Sequence, residues 1–296
     1  MQEVIPSRSV LADLVPSGGD ALYDGGGGGG GAKRNGGEDD RPPKMDFSTC
    51  AVVGNSGVLL MSEYGEHIDA HSFVMRLNVA PTVGPVRKHV GGKTHIRLLN
   101  NKWSKVVAGG GRLPIKVESG CTLLLRTTDG QMVNRAKQLF AATATATDGG
   151  EKRGSSSISR ARAVAQFNYK AVEGAKVALG AYRGCLRARR KPVGKGGDLP
   201  SAGFAAVLAL SRVCGKLRLF GFGSAPPGAK SKREHGEAVI GYQYFVERNE
   251  DGTLNAGSPS HNFDLEFMAL QSLAKNVKSV TLCGPGEQKN GECNEA

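Results

Sequence analysis

The apolar run Cys50-Ala51-Val52-Val53 ends in Gly54-Asn55-Ser56-Gly57, small and polar residues at the point where a buried strand would turn. In an open α/β sheet the crevice beyond the carboxyl ends of the strands is where nucleotides bind, because backbone groups approach a ligand closely there. Taken alone, the turn is also common punctuation between a strand and a helix. A second cluster, Pro200-Ser201-Ala202-Gly203, has the form of a helix entrance. Ser201 can cap the first amides, Gly203 permits close approach of a ligand, and the free N–H groups favour phosphate or carboxylate. An ordinary capped helix has the same residues. The third cluster, Ser260-His261-Asn262-Phe263-Asp264-Leu265-Glu266, sets an imidazole just before a helix. With an ordinary pKa of ~6.5, His261 can accept a proton from a hydroxyl at neutral pH, although a lone histidine at a helix start is more often a cap or a surface residue. Glu266 reads as structural support on a solvated helix face.

These clusters need a scaffold, and the hydrophobic pattern supplies one. Strand-like runs fall at Cys50–Val53, Phe73–Leu77, His95–Leu99, Cys121–Leu125, Leu217–Phe220 and Ser279–Leu282, with helical segments at Asn134–Ala142, Ser159–Leu186, Gly203–Cys214 and Phe263–Asn276. The alternation predicts an α/β fold, a mostly parallel sheet flanked by helices. Residues 1–47, with a seven-glycine run at Gly25–Gly31, cannot bury enough apolar surface to offset their ordering entropy and read as a disordered tail or linker. Residues 48–296 read as one domain with a basic, partly flexible insertion around 143–198. The net charge of +12 is concentrated there: residues 151–197 hold 12 basic and 2 acidic side chains. A basic body suits anionic partners, although a solvated basic insertion accounts for that segment equally well. There is no run of eighteen apolar residues, no Cys-x-x-Cys pair and no Asp-x-Asp motif, so neither a membrane span nor a metal is expected.

The stretch from Cys50 through Asn78 to Val90-Gly91-Gly92-Lys93-Thr94 resembles the long donor-binding motif of the eukaryotic sialyltransferase family. Pro200-Ser201-Ala202-Gly203 with Cys214 and Phe220-Gly221-Phe222-Gly223 is similar to its short motif, Ala202 standing where the family usually has threonine. His261 and Glu266 match its His-x-x-x-x-Glu pattern, and the resemblance spans residues 50–285. It implies a Rossmann-like glycosyltransferase fold, a variant of the GT-A type, and inverting transfer of an acidic sugar from a CMP donor to the hydroxyl of a glycoprotein, glycolipid or polysaccharide. Asn55 and Asn78 would hold the donor, with Ser56 and Gly57 shaping its turn. Ser201, Gly203 and Gly223 would contact the nucleotide or the acidic sugar. His261 would be the general base, with Glu266 in support. The family's His-Tyr-Tyr phosphate motif is altered here, leaving Tyr242 or Gln243 in that place according to register; Gly241–Glu247 reads equally as an edge segment of aromatic core residues.

The resemblance further implies a Cys50–Cys214 disulfide linking the two donor-binding blocks, and with it an oxidising compartment. Cys283 and Cys293 flank a Gly/Pro-rich turn and can pair, leaving Cys121 and Cys185 as thiols. It implies no cofactor beyond the CMP-sugar itself, since backbone amides and one polar side chain can neutralise the leaving phosphate without a divalent ion. Leu98-Leu99-Asn100-Asn101-Lys102-Trp103 brings the chain nearest to plant and green-algal sialyltransferase-like proteins, so 3-deoxy-manno-octulosonate rivals sialic acid as the donor sugar. The family is anchored in the Golgi by one N-terminal helix. No such helix occurs here, and the expectation is an incomplete gene product of a type II membrane protein facing the Golgi lumen. Two rivals remain open. One is a non-catalytic nucleotide- or glycan-binding relative, to which Ala202 and the altered aromatic motif point. The other is a basic nucleic-acid binder, against which stands the lack of any reading motif or aromatic interleaving.

Overall fold

Strands buried on both faces need unbroken apolar runs, the pattern of a parallel sheet covered by helices on each side. The computed structural model, which describes residues 45–145, 161–224, 230–233, 236–247, 258–285 and 293, builds such a sheet. In chain order the strands are β1 (Thr49–Val53), β2 (Phe73–Leu77), β3 (Ile96–Leu99), β4 (Thr122–Leu125), β5 (Ala163–Gln166) and β6 (Lys216–Phe220). An antiparallel hairpin, β7 (Lys230–Arg233) and β8 (Gly236–Val239), then precedes β9 (Val280–Cys283). The seven-stranded sheet runs β5-β4-β3-β2-β1-β6-β9 with every neighbouring pair parallel.

The helices are α1 (Gly65–Asp69), α2 (Arg87–Val90), α3 (Asn101–Ala108), α4 (Gly130–Thr145), α5 (Tyr169–Ala188), α6 (Ala202–Val213) and α7 (Phe263–Asn276). One face of the sheet packs Val52, Phe73, Met75 and Leu98 against α5, α6 and α7. The other turns Leu99, Leu123 and Leu125 toward α3 and α4, and Ala51, Val53 and Val74 toward α1 and α2. Because α6 lies between the sheet and α5, it is buried almost all round and apolar on every face. Asn100, Asn168, Ser201 and Asn262 cap α3, α5, α6 and α7, each accepting a first-turn N–H on its side chain. Disulfides join Cys50 to Cys214 and Cys283 to Cys293; Cys121 is a buried thiol and Cys185 a half-buried one.

The α/β fold with its mostly parallel sheet is observed, and several elements differ: α4 runs Gly130–Thr145 rather than Asn134–Ala142, and α1, α2 and the β7–β8 hairpin arise in spans with no expected element. The helix expected over Ser159–Leu186 is instead β5 followed by α5, because Ala163–Gln166 pairs with β4 and Asn168 starts the helix by accepting the Lys170 N–H. Much of the span read as a basic insertion is therefore the edge strand and the longest helix of the sheet's own cover. Helix α3 comes from a span with no readable pattern; the Asn100 side chain, accepting from Trp103 N at 3.1 Å, opens it. The tail read over residues 1–47 falls almost wholly outside the described residues, as do residues 146–160 of the insertion.

Candidate active site

The chain leaves β1 for β2 on one side, and leaves β6 for β9 on the other. Such a reversal parts the loops at the carboxyl ends of the two central strands and opens a crevice. A cavity of about 780 Å³ lies there. Asn55 after β1, Asn78 after β2, Asn100 after β3, Arg126 after β4 and Phe222 after β6 all line it.

The β1 turn is held by backbone rather than side chains. Gly54 N donates to Phe220 O at 2.7 Å and Ser56 N to Gly221 O at 3.1 Å, so a Cβ on Gly54 would run into the Gly221 carbonyl. Ser56 caps a single 3₁₀ turn, Gly57–Met61. Gly57 lies against the Gly241 carbonyl, and it is the one expected donor residue that does not line the cavity. Asn55 lines it with a buried Oδ1 that has no hydrogen-bond partner among the described residues. Buried polar atoms are almost always paired, so this oxygen is available to a ligand donor.

Asn78 adopts a left-handed conformation, φ 50°, and its Oδ1 accepts from Asn100 N at 2.8 Å. The Asn78 carbonyl is gripped by Arg97 Nη1 at 2.7 Å. Arg97 is fully buried and paired with Glu118, whose carboxyl it holds below the ordinary range against the upward push of burial. Asn78 is thus locked in place by the carboxyl end of β3, with its amide oxygen already committed.

Three titratable side chains converge on the tripeptide Leu199-Pro200-Ser201 at the start of α6. His261 Nδ1 bonds the Leu199 carbonyl at 2.7 Å, Arg126 Nη2 donates to the Pro200 carbonyl at 2.8 Å, and Glu266 accepts both the Ser201 N–H and its hydroxyl at 2.6 Å. Since a carbonyl only accepts, Nδ1 of His261 carries the proton, which leaves Nε2 as the basic nitrogen of the neutral ring. Burial pulls the His261 pKa down, the Leu199 bond opposes it, and the Arg126 charge lowers it further. Glu266 is 5% exposed, and burial pushes its carboxyl up to about 7 against the lowering pull of Ser201 and Arg126. The expectation of a solvated Glu266 is therefore corrected: α7 packs its first turn onto the α6 entrance. Ser201, expected to contact a ligand, also accepts the Phe204 N–H at 3.1 Å, so against an ionised Glu266 its hydroxyl proton is committed within the protein.

Gly203 does not leave open space. A Cβ there would sit 2.9 Å from Leu77 Cδ1 and 3.2 Å from Phe222 Cε1, so a larger residue would have to push these two side-chain ends aside. Gly223 has φ +89° and abuts the Phe267 ring. The 241–247 segment crosses the β1 turn through an isolated Ser56–Gln243 bridge and the Tyr244 N to Asn55 O bond. Tyr244 is buried and donates its hydroxyl to Pro81 O at 2.8 Å, anchoring the segment. Tyr242 and Gln243 line the cavity, and Tyr242 stacks obliquely on Phe263, which in turn meets the His261 ring edge-on. Within the segment, Tyr244 belongs to the core, and its two predecessors line the cavity.

The structure thus brings Asn55, Ser56, Asn78, Ser201, Gly203, Gly223, Tyr242, Gln243, His261 and Glu266 to one cavity. Sequence reasoning passes over Arg126, Lys102 and Glu247. Arg126 directly follows the predicted fourth strand, and a charged residue at the carboxyl end of a parallel strand is the signal that finds it. Among the described residues, no group of three or more His, Cys, Asp or Glu side chains is placed to hold a metal ion, and no helix is long and apolar enough to cross a membrane.

Comparison with known proteins places these features in context. The model of glycosyltransferase family 29 (sialyltransferase) matches residues 33–278. Sialyltransferase-like protein 3 of Oryza sativa subsp. indica is 52% identical over 56 residues, 19% of this chain and 15% of that protein. Sialyltransferase-like protein 1 of Arabidopsis thaliana is 45% identical over 82 residues, 27% of this chain and 16% of that protein. The matched stretches are thus about a sixth of these relatives' length. A mammalian sialyltransferase solved in complex with Gal-beta-1-3GalNAc-ortho-nitrophenol aligns with a TM-score of 0.47 at 20% identity, over 94% of this chain and 78% of the other.

Proposed function

Because the chain belongs to glycosyltransferase family 29, the sialyltransferases, we propose that it transfers an acidic sugar from a CMP-linked donor to a glycan hydroxyl with inversion. The observation that carries this reading is the His261 Nδ1 bond to the Leu199 carbonyl, which points to an imidazole in the cavity wall whose basic nitrogen is Nε2. Nε2 takes the proton of the acceptor hydroxyl as its oxygen attacks the anomeric carbon, and CMP departs from the opposite face. The unpartnered Asn55 Oδ1 accepts from the donor, and the first amides of α6, at Ala202 and Gly203, face the departing phosphate with the positive end of the helix dipole. Tyr242 or Gln243 supplies the polar side chain to that phosphate. No divalent ion enters this scheme, and no cofactor other than the CMP-sugar.

The acidic sugar is sialic acid or 3-deoxy-manno-octulosonate, and the acceptor is the glycan of a glycoprotein, glycolipid or polysaccharide. Two disulfides fit an oxidising compartment, and we place the protein in the Golgi lumen. The test is CMP release from CMP-N-acetylneuraminate and from CMP-3-deoxy-manno-octulosonate, with and without galactose-terminated acceptors, for wild type and His261→Ala. Release that requires both the acceptor and His261 supports the transferase and names its donor. CMP binding without release from either donor would replace it with a non-catalytic nucleotide-binding relative.

A further inference from the structure

The cations lining the cavity differ in how their charge is met. Lys102 lies 3.2 Å from the Glu247 carboxylate, over the face of Trp103. Arg126 has no carboxylate within ion-pair distance among the described residues. One of its nitrogens, Nη2, donates to the Pro200 carbonyl, and its Nε is buried with no partner among the described residues. A guanidinium presents five N–H donors, and leaving a buried one unsatisfied is costly. The nearby carboxylate that acts on it, Glu266, is already held by Ser201 through both oxygens. The described residues therefore build a cation into the cavity wall, beside the α6 entrance and His261, and supply no full counter-charge for it.

We propose that Arg126 pairs with an oxyanion of the donor, the phosphodiester or the sugar carboxylate, and is a specificity-determining residue of this cavity. The inference rests on the reading of the cavity as a CMP-sugar site. Arginine suits the task because its planar fork can keep one N–H on Pro200 while presenting others to an oxyanion. It also explains why a guanidinium tolerates this position: the ligand completes the charge pair that the folded chain leaves open.

The experiment is calorimetric titration of the full chain with cytidine, CMP and CMP-N-acetylneuraminate, for wild type and Arg126→Gln. Glutamine removes the charge and keeps an amide donor at the level of the arginine Nε. Cytidine affinity is expected to stay the same, while a charged ligand loses on the order of 10- to 100-fold. Loss for both CMP and the CMP-sugar assigns the phosphate; loss for the CMP-sugar alone assigns the carboxylate. Unchanged affinity for all three ligands, in a wild type that binds them, overturns the inference. A wild type that binds none of the three overturns the donor-site reading and this inference with it. Should Arg126→Gln fail to fold, the Arg126 Nε–H resonance of ¹⁵N-arginine-labelled wild type, assigned by its absence from Arg126→Lys, gives the answer. It shifts when the CMP-sugar saturates the site; a resonance that stays in place rejects the pairing.

Discussion

Replacing Glu266 by glutamine removes a charge that burial disfavours while keeping both arms of the contact with Ser201. The Ser201 N–H can still donate to Oε1, and its hydroxyl oxygen can accept from the new amide. Burial raises the Glu266 carboxyl from the ordinary 4.5 to about 7. In the unfolded chain this proton is released near 4.5, so between these two values the folded state binds more protons than the unfolded one. Stability contributed by the protonated group is therefore lost as pH rises through that window. The two values differ by about 2.5, and with ~1.4 kcal/mol for each tenfold change in proton affinity the loss approaches ~3.5 kcal/mol well above pH 7, of which ~2.5 kcal/mol falls between pH 5 and 8. Glutamine has no proton to lose. Urea unfolding of oxidised wild type and Glu266→Gln at pH 5 and pH 8 should show the variant gaining on wild type by ~2.5 kcal/mol over that interval, other titrations cancelling in the difference. A stability difference that is the same at both pH values would refute the argument, because it would mean that Glu266 ionises as an exposed carboxylate does.

Two further outcomes follow from the same geometry. Replacing both Cys50 and Cys214 by serine opens a bridge between residues 164 apart and should lower stability by ~3–5 kcal/mol in urea unfolding, with Cys283–Cys293 left intact; a loss below ~1 kcal/mol would show that packing alone joins β1 to α6. Burial and the Arg126 charge both hold the His261 pKa below its ordinary 6.5, so the base stays neutral into mildly acid solution. The acid limb of acceptor-dependent CMP release should accordingly have its midpoint below 6.5, and a midpoint above that value would contradict His261 as the base in this environment.

How far the chain can be read without its structure depends on which forces decide each element. Phe73–Leu77 is readable residue for residue because a strand buried on both faces is apolar at nearly every position; the one fully buried charge within it, Arg76, does not break the pattern. Ala163–Gln166 is unreadable for the opposite reason. Its alanines favour a helix, it sits at the sheet edge, and only pairing with β4 makes it a strand. In the site, the glycine turns are readable because close backbone approach demands glycine, as the Gly54–Gly221 contact shows. Arg126 is readable only as a charged residue at the carboxyl end of a strand; its meaning comes from the crevice into which the parallel sheet delivers it. Glu266 is the instructive middle case. A helix-borne glutamate is ordinarily solvated, yet Glu266, Ala269, Leu270 and Leu273 stand at i, i+3, i+4 and i+7, and all four are buried. The carboxylate heads the apolar stripe that packs α7 inward, so helical periodicity already requires a partner for it. Ser201 is that partner, and the demand for one joins the third motif to the second: the side chain that buries Glu266 opens the helix beside His261.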